Sequence, residues 1–413
     1  MSERKQPPVH DRLDYFKTAD GLLQVNGIPL PQLTDRVGQT PFYAYDRHII
    51  AERVAKLRAE LPDGLRLHYA MKANPMPAVV QYLGSLVDGL DVASAGEMQV
   101  ALDTGMAPDK ISFAGPGKRE AELRAAIAAG ITLNVESPNE VERIALIAEE
   151  TGLTPHIALR VNPDFELKTS GMKMGGGPKQ FGIDAEQIPG ALKRVAELGL
   201  DFAGFHIFSG SQNLRPEAII EAHDKTFALA FRLAEDAPGP LRHLNIGGGF
   251  GIPYFPGEKR LELGGISTNL AGLMDKSREY LGATEIVTEL GRYLIGEAGI
   301  YVCRVIDRKV SRGQVFLVCD GGLHHHLANS GNFGQVIRKN YPVLIGNHAG
   351  GSETEVVSIV GPLCTPLDIL ADKVDLPRAE VGDLVVVLQS GAYGFTASPI
   401  AFLGHPAPAE VLV

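Results

Sequence analysis

From residue 40 to residue 282 the chain repeats one pattern: a short apolar strand, a polar or glycine turn, then an amphipathic stretch rich in Ala, Leu and Glu. "FYAYD" (42–46) precedes a helical stretch over 47–61, and "LRLHYAMK" (65–72) one over 76–86. "GLDVAS" leads into 95–104, "ISFAG" into 119–129, and "TLNVES" into 138–151, where Ser137-Pro138 is a good helix start. "HIALRVN" is followed, after a Gly/Lys loop (164–183), by 184–198; "DFAGFHIFS" by 215–235; and "HLNIGGG" by 268–281. Eight alternations predict a (β/α)8 TIM barrel over 38–282. A doubly wound open sheet is the alternative, and an eightfold run without a break favours closure.

Beyond residue 283 the texture changes. "EIVTEL", "IYVCRVIDRKV", "QVFLVCD", "EVVSIVG" and "DLVVVLQS" are β-rich runs between turns, which predict a mainly antiparallel β domain. "GLLQVNGIPL" (21–30) reads as a hairpin on an Asn26-Gly27 turn. The expected division is a barrel over 38–282 and a β domain from 1–37 and 283–413. A length of 413 residues suits two cores.

Apolar residues make up 45% and charged residues 21%, as in soluble globular proteins. Net charge is −10, and no Lys/Arg run could track a phosphate backbone, so nucleic acid is not an expected partner. No apolar stretch is long enough to span a bilayer, and "MSERKQPPVHDRL" lacks the apolar region of a secretory signal. Cys303, Cys319 and Cys364 form neither a disulfide framework nor a zinc spacing, so a reducing cytoplasm is expected.

Four features could carry chemistry. In "LRLHYAMK" the alternation sends Leu67, Tyr69 and Met71 toward the helices and Lys72 inward at the carboxyl rim. A lysine after a strand is as a rule a solvated one; an inward lysine at a packed rim suits Schiff-base chemistry. The triplet Gly247, Gly248 and Gly249 ends a strand where barrels of this kind hold phosphate, although a glycine triplet is more often a plain tight turn. His206, followed by Ser209, reaches the same rim and could stack on a flat ring, where a strand histidine is otherwise a core residue. Glu289 and Arg292 pair a carboxylate suited to a ring nitrogen with a guanidinium suited to a phosphate; the plainer alternative is a surface ion pair. Together they describe the needs of pyridoxal 5'-phosphate. A triplet of adjacent histidines, His324–His326, makes a poor chelate because neighbours in an extended segment point to opposite faces, so no metal is expected. The "CDGGLHHHLANSG" run is expected beside the substrate mouth.

"YAMKAN", "DVASAGE", "GPGK", "HIFSGSQ", "NIGGGFGIPY", "ELGRYL", "GPLCTPLD" and "SGAYGF" resemble the fold-type III pyridoxal-phosphate decarboxylases, which include the diaminopimelate, ornithine and arginine enzymes. The resemblance covers 38–405. It implies that Lys72 carries the cofactor, that His206 stacks on its ring, and that Ser209 with Gly247, Gly248 and Gly249 holds its phosphate. Glu289 would face the pyridine nitrogen, Arg292 and Tyr393 would reach the phosphate, and Asp91 would support the pocket. Cys364 would come from the second subunit of a homodimer with shared sites and protonate the product. From the residues alone Cys364 reads equally as a small buried hydrophobe.

Substrate is where the sequence departs from that family. Enzymes acting on diaminopimelate or ornithine place an acid directly after this cysteine; here Thr365 stands there. The Arg-Pro-Ala-Leu-Tyr stretch of the diaminopimelate enzymes is replaced by "VIRKNYPV", which keeps Arg338 and Tyr341 at another spacing. "KMGGGPKQFGID", "DGGLHHH", "GPLCTP" and "FLGHPAP" are similar to a side branch that includes a butirosin-pathway decarboxylase of glutamate tethered to an acyl carrier protein and exosortase-associated homologues. Decarboxylation of an amino acid, free or carrier-bound, is the expected activity, with diaminopimelate decarboxylation as the alternative. A fold-type III racemase and a non-catalytic cofactor-binding homologue are further alternatives. A carrier arm needs an open channel, which the glycine-rich 171–178 and 329–334 loops would border.

Overall fold

The computed structural model describes residues 9–413 except 12, 13, 167–171, 174, 332–337 and 352. Parts of both loops expected to border a channel therefore lie outside the described residues. The chain divides into two compact units.

One unit comprises Arg53–Gly251 and Leu261–Gly291. Its strands are β1 (Arg66–Ala70), β2 (Gly89–Val92), β3 (Ile111–Phe113), β4 (Thr132–Val135), β5 (His156–Asn162), β6 (Asp201–Ile207), β7 (His243–Gly248) and β8 (Glu285–Leu290). Each pairs in parallel with the next, and β8 returns to β1 with Leu290 beside Tyr69, closing an eight-stranded barrel. Helices follow the strands as the sequence predicts, for example Ala95–Asp103 and Pro138–Thr151. The Ser94 and Ser137 hydroxyls cap these two by accepting the Glu97 and Glu140 N–H groups. Leu67 and Tyr69 are buried on the outer face of β1, as alternation requires.

The count of eight holds, but its frame moves by one strand. Phe42–Tyr45 is not a barrel strand; it pairs antiparallel with Gly299–Val302 and parallel with Ala409–Leu412. Glu285–Leu290, grouped by texture with the β-rich part, is β8. All four residues of Phe42–Tyr45 are buried, a pattern any interior strand shares, so only its long-range partners identify its sheet. β8 is followed by just one helical turn, Arg292–Ile295, which removed the helical signal that marks the other units. His206 thus lies in β6 and the glycine triplet at the end of β7.

The other unit comprises Met1–Glu52, Ile252–Arg260 and Arg292–Val413. The long strand Gly299–Ser311 organises it, pairing antiparallel with Phe42–Tyr45, Leu384–Val387 and Gln314–Cys319. Most pairings are antiparallel; Gln314–Cys319 with Thr354–Val360 is parallel. The predicted hairpin forms, with Asn26 and Gly27 at φ 48° and 77°, the positive values a type I′ turn needs. Its Leu23 and Val25 pack with Phe42, Ile300, Val302 and Val386 in one core. No helix among the described residues is long and apolar enough to cross a membrane.

Candidate active site

The barrel interior is polar where many barrels are aliphatic. Ser112 donates to Asp91 Oδ1, Asn134 Nδ2 donates to Ser112 (3.1 Å), and His68 Nδ1 lies 3.4 Å from Asp91 Oδ1. Asp91 is buried, and its Oδ2 has no hydrogen-bond partner among the described residues. Nearer the carboxyl rim, Asn245 Nδ2 donates to Glu289 Oε2 (3.0 Å), and His206 Nε2 lies 3.1 Å from the same oxygen. Both His206 and Glu289 are buried. Burial works against a charge on Glu289, but the His206 imidazole, then the Lys72 and Arg160 cations, outweigh it and hold the carboxyl at about 2. The carboxyl is thus held toward its ionised form. His206 Nδ1 has no hydrogen-bond partner among the described residues.

Lys72 follows β1 by two residues. The strand ends at Ala70 rather than running to 72, and a single 3-10 turn, Met71–Ala73, carries the lysine. Met71 and Ala73 are buried and Lys72 is exposed between them, with Nζ 5.4 Å from the centre of the Phe208 ring beyond β6. Tyr69 donates to the Asn74 carbonyl (2.8 Å), and the Asn74 side chain accepts the Met76 N–H (3.1 Å), which fixes the turn.

At the end of β7, Gly247 and Gly249 have φ 71° and 83°. A Cβ on Gly248 would run into the Glu289 carbonyl, and one on Gly249 into that of Gly210. Side chains are therefore excluded along the whole triplet, leaving bare backbone. The partly exposed Ser209 follows β6 by two residues.

Sequence reasoning missed a buried network beside this rim. Arg160, register partner of His206, donates to Glu136 Oε1 (2.7 Å), which also accepts the Gly115 N–H. The Lys118 ammonium, almost wholly buried, bonds Glu140 (2.8 Å) and the carbonyls of Gly115 and Asn134. Lys118 ends the "GPGK" run, whose motif was visible without its role; Arg160 sits in an ordinary apolar strand that offered no signal.

In the β-rich unit Arg292 donates to the Tyr254 hydroxyl (2.9 Å), and its guanidinium lies 4.6 Å from the Tyr393 ring centre. Tyr393 holds φ 54°, uncommon for a bulky residue. Tyr341 is buried with its ring 4.7 Å from that of Tyr254. Arg338 donates to the carbonyls of Ser330 and Ile369, so it ties two backbone segments together. Cys364 is exposed, and Thr365 follows in a loop fixed by Asp368, whose two oxygens accept the N–H groups of Leu323 (2.7 Å) and Leu363 (2.8 Å).

His324, His325 and His326 are fully buried. His325 contacts Tyr301 and the Pro406 carbonyl, while His326 contacts Ser390. Burial pushes all three well below the ordinary histidine value, to about 3, 4 and 3. Among the described residues no group of acids, histidines and cysteines could hold a metal.

The barrel residues fit pyridoxal 5'-phosphate: an amine on the rim, an ionised carboxylate for a ring nitrogen, a side-chain-free anion cradle, and buried polar atoms on Asp91 and His206 left to be satisfied.

A family model described as "Pyridoxal-dependent decarboxylase, pyridoxal binding domain" matches residues 47–296. The chain is 39% identical over 380 residues to the L-glutamyl-[BtrI acyl-carrier protein] decarboxylase of Niallia circulans, covering 91% of this chain and 89% of the relative. It is 30% identical over 376 residues to a Staphylococcus aureus decarboxylase named for 2-[(L-alanin-3-ylcarbamoyl)methyl]-2-hydroxybutanedioate, covering 89% and 92%. The crystal structure of the M. jannaschii diaminopimelate decarboxylase with L-lysine superimposes with a TM-score of 0.86 at 27% identity, covering 97% and 93%.

Proposed function

The chain belongs to the pyridoxal-dependent decarboxylases, with pyridoxal 5'-phosphate as cofactor, and we propose that within this family it decarboxylates an amino acid whose side chain ends in an acyl or amide conjugate. A glutamyl group on an acyl carrier protein is the leading candidate. The observation that carries this reading is the loop after Cys364. Its one carboxylate, Asp368, is buried and occupied by two backbone N–H groups, and the residue directly after Cys364 is the neutral Thr365. An ammonium at the far end of diaminopimelate would find no partner here, and an unpaired buried charge costs several kcal/mol. Two relatives are named for conjugated substrates, a carrier-bound glutamyl group and a carbamoyl-linked alanine. Diaminopimelate itself is the second reading, favoured by the likeness to the M. jannaschii enzyme.

In this reading the Lys72 amine would anchor the cofactor, His206 would lie against its ring, and Glu289 would keep the ring nitrogen protonated. Gly247, Gly248, Gly249 and Ser209 would hold the phosphate, with Arg292 and Tyr393 assigned to the same group. Asp91 orders the pocket. Arg338, Tyr341 and Thr365 are assigned to the substrate side. When bound, the cofactor supplies a sink for the electron pair left as CO2 departs. A second copy of the chain covers the exposed Cys364 and Leu367 in a homodimer, and the Cys364 thiol returns a proton to the substrate carbon. Three unpaired cysteines accord with the cytoplasm.

The deciding experiment is a CO2-release screen over diaminopimelate, lysine, ornithine, arginine, free glutamate and a glutamyl-carrier thioester. Turnover of the thioester well above the others supports the reading, whereas efficient turnover of diaminopimelate overturns it.

A further inference from the structure

Residues Ile252–Arg260 follow the glycine run in sequence and belong to the β-rich unit. They form no helix or strand, so their path is set by individual bonds. At one end Gln389 Nε2 donates to the Pro253 carbonyl (2.6 Å), and Tyr254 meets Arg292. In the middle Glu258 accepts the N–H groups of Tyr254 and Phe255 (2.8 and 3.1 Å).

The far end is held by the N-terminal arm. Gly257 N–H donates to the Val9 carbonyl (2.9 Å), and Arg260 N–H donates to Asp11 (3.1 Å). The Arg260 guanidinium bonds Asp14 (2.9 Å), lies 4.3 Å from the Tyr15 ring centre, and comes within 4.0 Å of the buried Glu297. Exposed ion pairs are weak singly. Here one exposed acid, Asp14, one buried acid, Glu297, and the Tyr15 ring converge on one planar cation, which suits arginine rather than lysine.

We propose that Arg260 is a positioning residue for cofactor retention: by clasping Asp14 and Tyr15 of the N-terminal arm it fixes Tyr254, and through Tyr254 the direction of Arg292. The inference rests on the reading that Arg292 binds the cofactor phosphate. Loss of the guanidinium leaves this end on its two backbone bonds to Val9 and Asp11, so Arg292 holds its hydroxyl partner, and its aim at an anion, less firmly.

The test compares two ligands that differ only in the phosphate. The full-length protein is stripped of cofactor and titrated with pyridoxal phosphate and with pyridoxal, following visible absorbance of the bound form. Arg260→Ala is expected to weaken pyridoxal phosphate about tenfold and to leave pyridoxal unchanged. Arg260→Lys should recover part of the loss, and Asp14→Ala, at an exposed position that spares folding, should show a smaller loss of the same selectivity. Equal losses for both ligands, or no loss in either the Arg260 or the Asp14 variant, overturn the proposal. Arg292→Ala separates the two levels. If that variant is selective for the phosphate and Arg260→Ala is not, only the clasp is wrong; if Arg292→Ala is not selective, the phosphate reading falls and the clasp with it.

Discussion

His206 Nε2 stands 3.1 Å from Glu289 Oε2, with both side chains buried in the barrel and Asn245 donating to the same oxygen. One carboxylate thereby collects a ring and an amide while burial would otherwise neutralise it, and the imidazole beside it holds its value below the usual carboxylate range. Such a group can hold a partner nitrogen protonated across the neutral range.

Glu289→Gln should therefore bind cofactor yet turn over slowly. Removing one preorganised charge of this kind costs roughly 100- to 1000-fold in kcat. Steady-state kinetics beside a cofactor-content assay separates this outcome from simple loss of cofactor.

Gly248→Ala addresses the cradle. The added methyl meets the Glu289 carbonyl, so β7 and β8 must part locally. Overpacking of this kind costs about 1–3 kcal/mol. Reduced cofactor content with a lowered unfolding midpoint is expected; unchanged cofactor content would show that the triplet is a turn alone.

Cys364→Ala tests the exposed thiol. If Cys364 protonates the substrate carbon, CO2 release should fall by roughly 100-fold or more. Solvent deuterium at that carbon of the product should also change in its stereochemical purity. Unchanged CO2 release would show that the thiol is not the proton donor, and exchange of the Cα proton for solvent deuterium without CO2 release would favour a racemase.

The buried histidines set the response to acid. Asn329 N–H points at His326 Nδ1 (3.3 Å), which therefore carries no proton, and Nε2 donates to Ser390 (2.9 Å). Its folded value, about 3, lies below the ordinary 6.5. The unfolded chain thus binds the proton first, and the stabilisation is full above pH 6.5 and is lost as pH falls toward 3. Each such histidine contributes a slope of up to about 1.4 kcal/mol per pH unit inside that window. Denaturant unfolding between pH 7 and 5 should show the loss, and His326→Gln should flatten it by about one histidine's share.

The barrel was legible because alternation of strands and helices is a local property. Its frame was not, because Phe42–Tyr45 and Glu285–Leu290 exchange sheets through partners far away in sequence. Lys72, His206, Glu289 and the glycine triplet stood out as odd residue types at strand ends. Arg160, Glu136 and Lys118 did not, since their meaning lies in contacts between residues distant in sequence, Arg160 with Glu136 and Lys118 with Glu140. The His324–His326 triplet, read as a poor chelate beside the substrate mouth, has all three rings buried. Nothing in its spacing could reveal that Tyr301, Ser390 and Pro406 would supply partners.

The most direct test of the central claim is borohydride reduction of the cofactor-loaded protein followed by peptide mass spectrometry. A phosphopyridoxyl group on Lys72, and its disappearance in Lys72→Ala, is the predicted result. The label on another lysine, or on none while the protein decarboxylates its substrate, would contradict the account.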